Sequence, residues 1–242
     1  MQADALTIVW RARGTWEGCD LGIRLVQAHA KSIYRCHLAV AVPLFVLFSA
    51  GYTVGVWLPP LLIWWSKPWL DRTILFALSR AVFDTPTAPA DVWQARRAVW
   101  WAQLPVTLTL RRLSASRSFT QPIHQLEGLH GADLRNRISQ VATRHRGTAR
   151  IMTHSFAAAE FSLYISLCAL LFWLTPRHEA DWVSWIQMAS PAQTALVNAF
   201  YALAVLFLEP FYVAAGFGMY LNRRVELEAW DIEQEFRRAF TA

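Results

Sequence analysis

The segment Leu196–Glu233 reads LVNAFYALAVLFLEPFYVAAGFGMYLNRRVELEAWDIE and is the strongest constraint in the chain. Its apolar part carries one acid, Glu209, followed at once by Pro210, and it ends in a dense polar run. A helix needs roughly 20 apolar residues to cross the hydrocarbon core of a bilayer. An earlier stretch, Val54–Phe83, repeats the plan with Lys67-Pro68 at the interruption. Two long apolar segments, each with one charge beside a proline, point to membrane helices whose interior holds something polar.

Backbone amides inside lipid must be satisfied within the segment, which leaves helices and closed barrels. These continuous apolar runs predict helices, so the expected fold is all-α, an integral membrane helical bundle. The chain is 55% hydrophobic and only 17% charged, against about 25% charged in ordinary soluble domains. Trp57, Trp64, Trp65, Trp69, Trp173, Trp182 and Trp185 lie near the ends of apolar runs, as in an interfacial aromatic belt.

Four spans in two hairpins are expected: His37–Trp57, Val54–Phe83, Ser155–Leu174 and Ala192–Leu221. The apolar part of the second is too short before Lys67, because about 14 residues rise only about 21 Å. It must therefore continue past Lys67-Pro68, through Asp71 and Arg72. Pro68 and Pro210 are expected to break or kink their helices. Amphipathic helices are expected to flank the spans: one from Asp20, either on the cytoplasmic leaflet or as a solvated lead-in; one over Asp133–Arg150; and one over Asn222–Ala242. Val92–Leu110 reads as helical and Arg111–Glu127 as a loop.

The net charge of +6 is carried by Arg residues that flank the apolar segments. The positive-inside rule accounts for them, and no nucleic-acid partner is expected. The N-terminal region and residues 84–152 are Arg-rich, whereas the connections at 51–60 and 175–191 are not. Both termini are therefore expected in the cytoplasm. The first 15 residues lack the apolar region of a cleavable signal, so the first span is expected to direct insertion.

The whole of 1–242 reads as a single membrane domain. Within it, tandem halves 20–83 and 133–233 follow one plan, joined by an Arg-rich cytoplasmic region, 84–132. Asp20-Leu21-x-x-Arg24 opens one and Asp133-Leu134-x-x-Arg137 the other; duplication and coincidence both remain open on these letters. In a true repeat, Lys67 and Glu209 would sit at equivalent depth. A charge at the bilayer centre costs about 2.5–3.5 kcal/mol on insertion scales, and mutual approach would offset part of that. The alternative is that Lys67 snorkels to a surface. Asp71 with Arg72 or Arg80, and Glu160 with an Arg, are further candidate pairs.

No phosphate loop, zinc-protease motif, CxxC pair or nucleophile elbow is present, and no nucleophile–base–orienter set is visible. Cys19, Cys36 and Cys168 are widely spaced, and the scattered His residues lack ligand spacing. No cofactor, metal or catalytic residue is therefore assigned.

The juxtamembrane signature Tyr220-Leu-Asn222-x-Arg224-x-x-x-Glu228-Ala-Trp230-Asp231-x-Glu233 resembles the ending of the membrane domain of glycerophosphoryl diester phosphodiesterase-type proteins. DLGIRLV at 20–26 and KPWLDR at 67–72 are similar to segments of bacterial inner-membrane proteins of that broad group. The sequence departs from the pattern at Asn222, Glu226 and Ala229. The enzyme name of the group belongs to a separate soluble domain, so the resemblance implies no hydrolase activity. It implies a bacterial inner (cytoplasmic) membrane location. In physical terms the signature is a charged helix below the membrane, with Arg224 and Glu228 at i,i+4 spacing and Trp230 as a headgroup anchor.

The functional expectation is a non-enzymatic scaffold or subunit of an envelope-related membrane assembly, with the lipid bilayer and other membrane proteins as partners. The alternatives are a carrier or channel-like protein for a lipid or small solute, with Lys67, Glu209 and Glu160 lining its route, and an intramembrane enzyme acting on lipid headgroups.

Overall fold

The computed structural model describes residues 13–174 and 190–228, apart from 103, 110, 111 and 113. Every regular element among them is helical: α1 (Thr15–Ala28), α2 (Ala30–Ser49), α3 (Leu58–Ala81), α4 (Pro89–Gln94), α5 (Leu104–Leu108), α6 (Arg117–Leu126), α7 (Gly131–Ala142), α8 (Arg146–Leu174) and α9 (Pro191–Glu228). Short 3₁₀ and π turns occupy Ala50–Thr53 and Arg97–Trp101. The all-α bundle expected from the apolar runs is observed.

Among the described residues, three helical stretches rather than four are apolar enough over their length to cross a membrane: Ala30–Thr53, Arg146–Leu174 and Pro191–Glu228. The expected second span, α3, is a continuous helix of 24 residues, but Lys67, Asp71, Arg72 and Arg80 interrupt its apolarity. Its two halves have different surroundings. Leu61, Trp64 and Trp65 are exposed, whereas almost every residue from Ser66 to Val82 is buried or half-buried by protein.

The same division occurs in α9. At 38 residues it is about 57 Å long, nearly twice a hydrocarbon core of roughly 30 Å. Leu196, Leu203 and Phe207 are exposed, and from Glu209 to Asn222 all but Phe211 are buried. Lys67 and Glu209 therefore mark the level at which the bundle changes from an exposed apolar belt to a protein-wrapped half.

The expected breaks at Pro68 and Pro210 do not occur, because both residues lie inside unbroken helices. Proline forfeits one i→i−4 hydrogen bond, and both prolines are buried at the point where neighbouring helices hold the turns before and after them. Membrane helices retain such prolines for this reason.

The wrapped half is assembled around α9. Helix α1 crosses it antiparallel through small residues, Gly18 and Gly22 facing Ala214 and Gly218. A Cβ on Gly22 would lie 1.9 Å from the Ala214 carbonyl oxygen, and one on Gly218 would lie 2.1 Å from that of Gly18. Small residues four apart on each helix are what let two backbones approach this closely. Helix α1 thus buries Cys19, Leu25 and Val26 against the bundle.

Two further expectations change. Val92–Leu110 is divided among α4, the π turn and α5. Arg72 accounts for part of this: its Nε donates to the Val99 carbonyl and its Nη2 to that of Ala98 at 3.0 Å. Conversely, Arg117–Leu126 forms α6 within a stretch that reads as loop. Phe119 and Ile123, four residues apart and fully buried in the main core, hold it against α9.

Candidate functional site

The level marked by Lys67 and Glu209 contains a buried chain of alternating charges. Lys67 Nζ lies 2.7 Å from Glu209 Oε2 and 2.6 Å from Glu160 Oε2. Arg117 Nη2 lies 3.1 Å from Glu209 Oε1, and its Nε lies 2.8 Å from Asp71 Oδ2. The order is Glu160, Lys67, Glu209, Arg117, Asp71. Glu209 is the node, with one oxygen on each cation and 1% of its surface exposed. Asp71 is fully buried, and Arg117 supplies its ion pair.

Four helices deliver these groups. Lys67 and Asp71 are one turn apart on α3, so both face the same partners. Arg117 opens α6, Glu160 lies mid-way along α8, and Glu209 sits at the transition in α9. Arg112 adds a third cation, its guanidinium 3.6 Å from the Trp64 ring centroid. Arg117 also lies over the Tyr212 ring at 5.3 Å. Three acids and three cations therefore meet at one level, and their formal charges cancel.

The structure brings together four of the five polar residues singled out in the apolar runs, Lys67, Glu209, Glu160 and Asp71, and places Lys67 in the bundle rather than at a surface. Asp71 joins the same cluster, but through Arg117 and not through Arg72 or Arg80. Arg72 is occupied by backbone carbonyls and by Thr107 Oγ1 at 3.3 Å, and Arg80 reaches Asp91 at 3.8 Å. Glu160 pairs with Lys67 rather than with an Arg. Arg112 and Arg117 join the cluster from a stretch whose sequence reads as loop.

Beside this chain of charges lies a cleft of about 520 Å³ between α3, α8 and α9. Lys67, Glu160, Glu209, Arg112 and Arg117 supply its charged wall. Tyr164, Tyr201, Tyr212, Trp64 and Phe161 supply the rest of the frame. Trp64 and Phe161 belong to the exposed apolar belt, at 39% and 65% exposure, so the charged wall opens toward that belt. Volumes of about 300–1,000 Å³ are usual for small-molecule sites.

The juxtamembrane signature forms a second polar assembly. Tyr220 is buried, and its hydroxyl donates to Glu127 Oε1 at 2.8 Å. Arg137 of α7 clamps Glu127 at 2.8 Å and Glu228 at 2.5 Å, and Arg224 reaches Glu228 at 2.7 Å. The hydrogen bonds that the Arg137 guanidinium donates to both carboxylates, first to Glu127, favour its charged form and raise its pKa. Asn222 accepts from the Arg13 amide at 2.9 Å and donates to its carbonyl at 2.8 Å. These contacts tie α1, the end of α6, α7 and α9 together. Trp230, Asp231 and Glu233 lie outside the described residues.

No protein-family model, curated protein or solved structure matches the chain.

Proposed function

We propose that this chain is a non-enzymatic, multi-pass inner-membrane protein of bacterial type that holds an amphiphile by its polar headgroup, as a carrier or a lipid-binding subunit. The observation that supports it is the placement of the cleft. A highly charged wall of three cations and two acids faces a space of about 520 Å³ whose rim belongs to the exposed apolar belt. A headgroup entering from the bilayer meets fixed cations and acids while its chains stay among Trp64, Phe161 and their neighbours. Intramembrane charges of this kind are characteristic of substrate routes. The Arg-rich region 84–132 and both termini are assigned to the cytoplasm by the positive-inside rule, which requires α3 to cross as well, as a protein-enclosed span.

The test is to purify the chain in mild detergent and identify what it retains by native mass spectrometry. Ala157 lines the cleft from α8 and carries no charge. The wild type should retain about one amphiphile that Ala157→Trp loses, with unchanged expression and folding. A wild type that retains nothing, or a variant that retains the same load, contradicts the reading.

The scaffold reading keeps one observation in its favour. Only 6% of the most apolar stretch of α8 is buried within the chain. A helix so little covered offers a face to a partner helix. Crosslinking in native membranes separates the two readings: stoichiometric crosslinks from α8 to another protein favour the scaffold.

A further inference from the structure

A second hollow, of about 730 Å³, lies between α6, α7 and the start of α8. Arg117, Arg135, Arg146 and Arg150 line it, and no carboxylate does. Arg135, Arg146 and Arg150 are exposed, and none of them pairs with an acid among the described residues. Leu134 and Ile138 add an apolar side. Gln121 lines the hollow too; it is 6% exposed, and its amide nitrogen has no hydrogen-bond partner. A buried donor left unsatisfied costs about 1–3 kcal/mol, so this amide requires an acceptor. Gly131, the first residue of α7, also lines the hollow, and the N-cap His130 provides no side-chain cap. The free N–H groups of that first turn therefore point a positive dipole end at the same space. Asp133, in the same turn, does not line it.

We infer that this hollow binds the phosphoryl group of an anionic lipid headgroup. Arg135, Arg146 and Arg150 supply bidentate donors, Gln121 donates from the base, and Leu134 and Ile138 pack against the apolar neck of the lipid. The lipid source follows from position. Arg146 and Arg150 occupy the first turns of α8, which continues into a membrane-crossing apolar helix. A phosphate held there sits at headgroup level. The site is separate from the cleft and stands whether or not the cleft holds an amphiphile, although Ser114 and Arg117 border both spaces.

The test titrates the full chain in detergent with dioleoylphosphatidylglycerol, with dioleoylphosphatidylcholine as the neutral comparison, and reads bound lipid by native mass spectrometry. The wild type should prefer the anionic lipid. A cation near a membrane surface contributes roughly a fivefold factor, so Arg135→Gln/Arg146→Gln/Arg150→Gln should weaken binding roughly a hundredfold. Gln121→Leu leaves the charge unchanged and should weaken it roughly fivefold. The triple Arg→Lys variant should also weaken it, because lysine cannot reproduce the forked contact. Arg24→Gln/Arg35→Gln, on the exposed face of α1 and α2, should change it less than twofold. Ala157→Trp, which fills the cleft, should leave the preference for the anionic over the neutral lipid unchanged, whether or not it loses a cleft-bound amphiphile. Equal losses per charge in the groove and control variants would reduce the effect to bulk electrostatics and overturn the site. Loss of the anionic preference in Ala157→Trp would place the lipid in the cleft, and displacement by millimolar inorganic phosphate would make the site one for free anions. Either result overturns the proposal.

Discussion

Arg117→Gln is the substitution to which the charge chain should be most sensitive. Glu209 loses one of its two cations but keeps Lys67 at 2.7 Å. Asp71, with none of its surface exposed, loses the ion pair made at 2.8 Å. Leaving a buried charge uncompensated costs about 3–5 kcal/mol. Against a total stability of about 5–15 kcal/mol, that is a third or more of a mid-range value. Adding Asp71→Asn removes the stranded charge, so the double variant should be more stable than the sum of the single effects by about 1–3 kcal/mol. The assay is unfolding in detergent or bicelles, followed by fluorescence-detected size exclusion or steric trapping, with all four corners of the cycle measured. Additivity within about 0.5 kcal/mol, or an Arg117→Gln cost below about 1 kcal/mol, would refute the assignment of Arg117 as the counter-charge of Asp71.

Two other perturbations probe the wrapped half. Gly22→Ala and Gly218→Ala place a methyl group against backbone oxygens of the partner helix and should each cost about 1–3 kcal/mol. Gly147→Ala, in α8 with nothing within 4 Å of the added atom, should be neutral or stabilising by up to about 1 kcal/mol; parallel thermal melts compare the three. His145 lies outside the spans, hydrogen-bonded through Nδ1 to Thr15 Oγ1 at 2.9 Å. Burial lowers its pKa below 6.5, with Glu226 opposing and Arg223 reinforcing. The unfolded chain therefore binds the proton more readily, so the contribution is complete above about pH 6.5 and falls as pH drops below it. Subtracting a His145→Gln melt series from that of the wild type between pH 5 and 8 should isolate a loss of stability towards acid, and a flat difference would contradict the burial effect.

The legible part of this structure is the part where a charge interrupts an apolar run. Lys67, Glu160 and Glu209 are conspicuous because each must be compensated in a setting where charge is costly, and opposite signs at matching points suggested that Lys67 and Glu209 would meet. Arg117 was not legible for the converse reason. It lies in RRLSASRSFTQPIHQLE, where arginines are common and Ser, Thr and Pro favour no regular structure. Its helix forms because Phe119 and Ile123 bury against α9, a tertiary effect that overrides local propensity. Their four-residue spacing was the one available signal. Pro68 and Pro210 interrupt neither helix, because the cost of a proline's lost hydrogen bond depends on neighbours the sequence does not display. The span count differed on similar grounds: α3 is long enough to cross, but its charged half is enclosed by α6, α9 and the π turn.

The chain contains two lysines, Lys31 and Lys67, which makes the charge chain directly observable. Solid-state NMR on protein in lipid, labelled with ¹⁵N at lysine Nζ and ¹³C at glutamate carboxyls, reads the distances from Lys67 to its acids. Lys31, exposed on α2, is the internal reference. Strong dipolar coupling of Lys67 Nζ to two carboxyl carbons is expected, reduced to one by Glu160→Gln or Glu209→Gln. A Lys67 signal as weakly coupled and as water-exchanged as that of Lys31 would contradict the buried cluster.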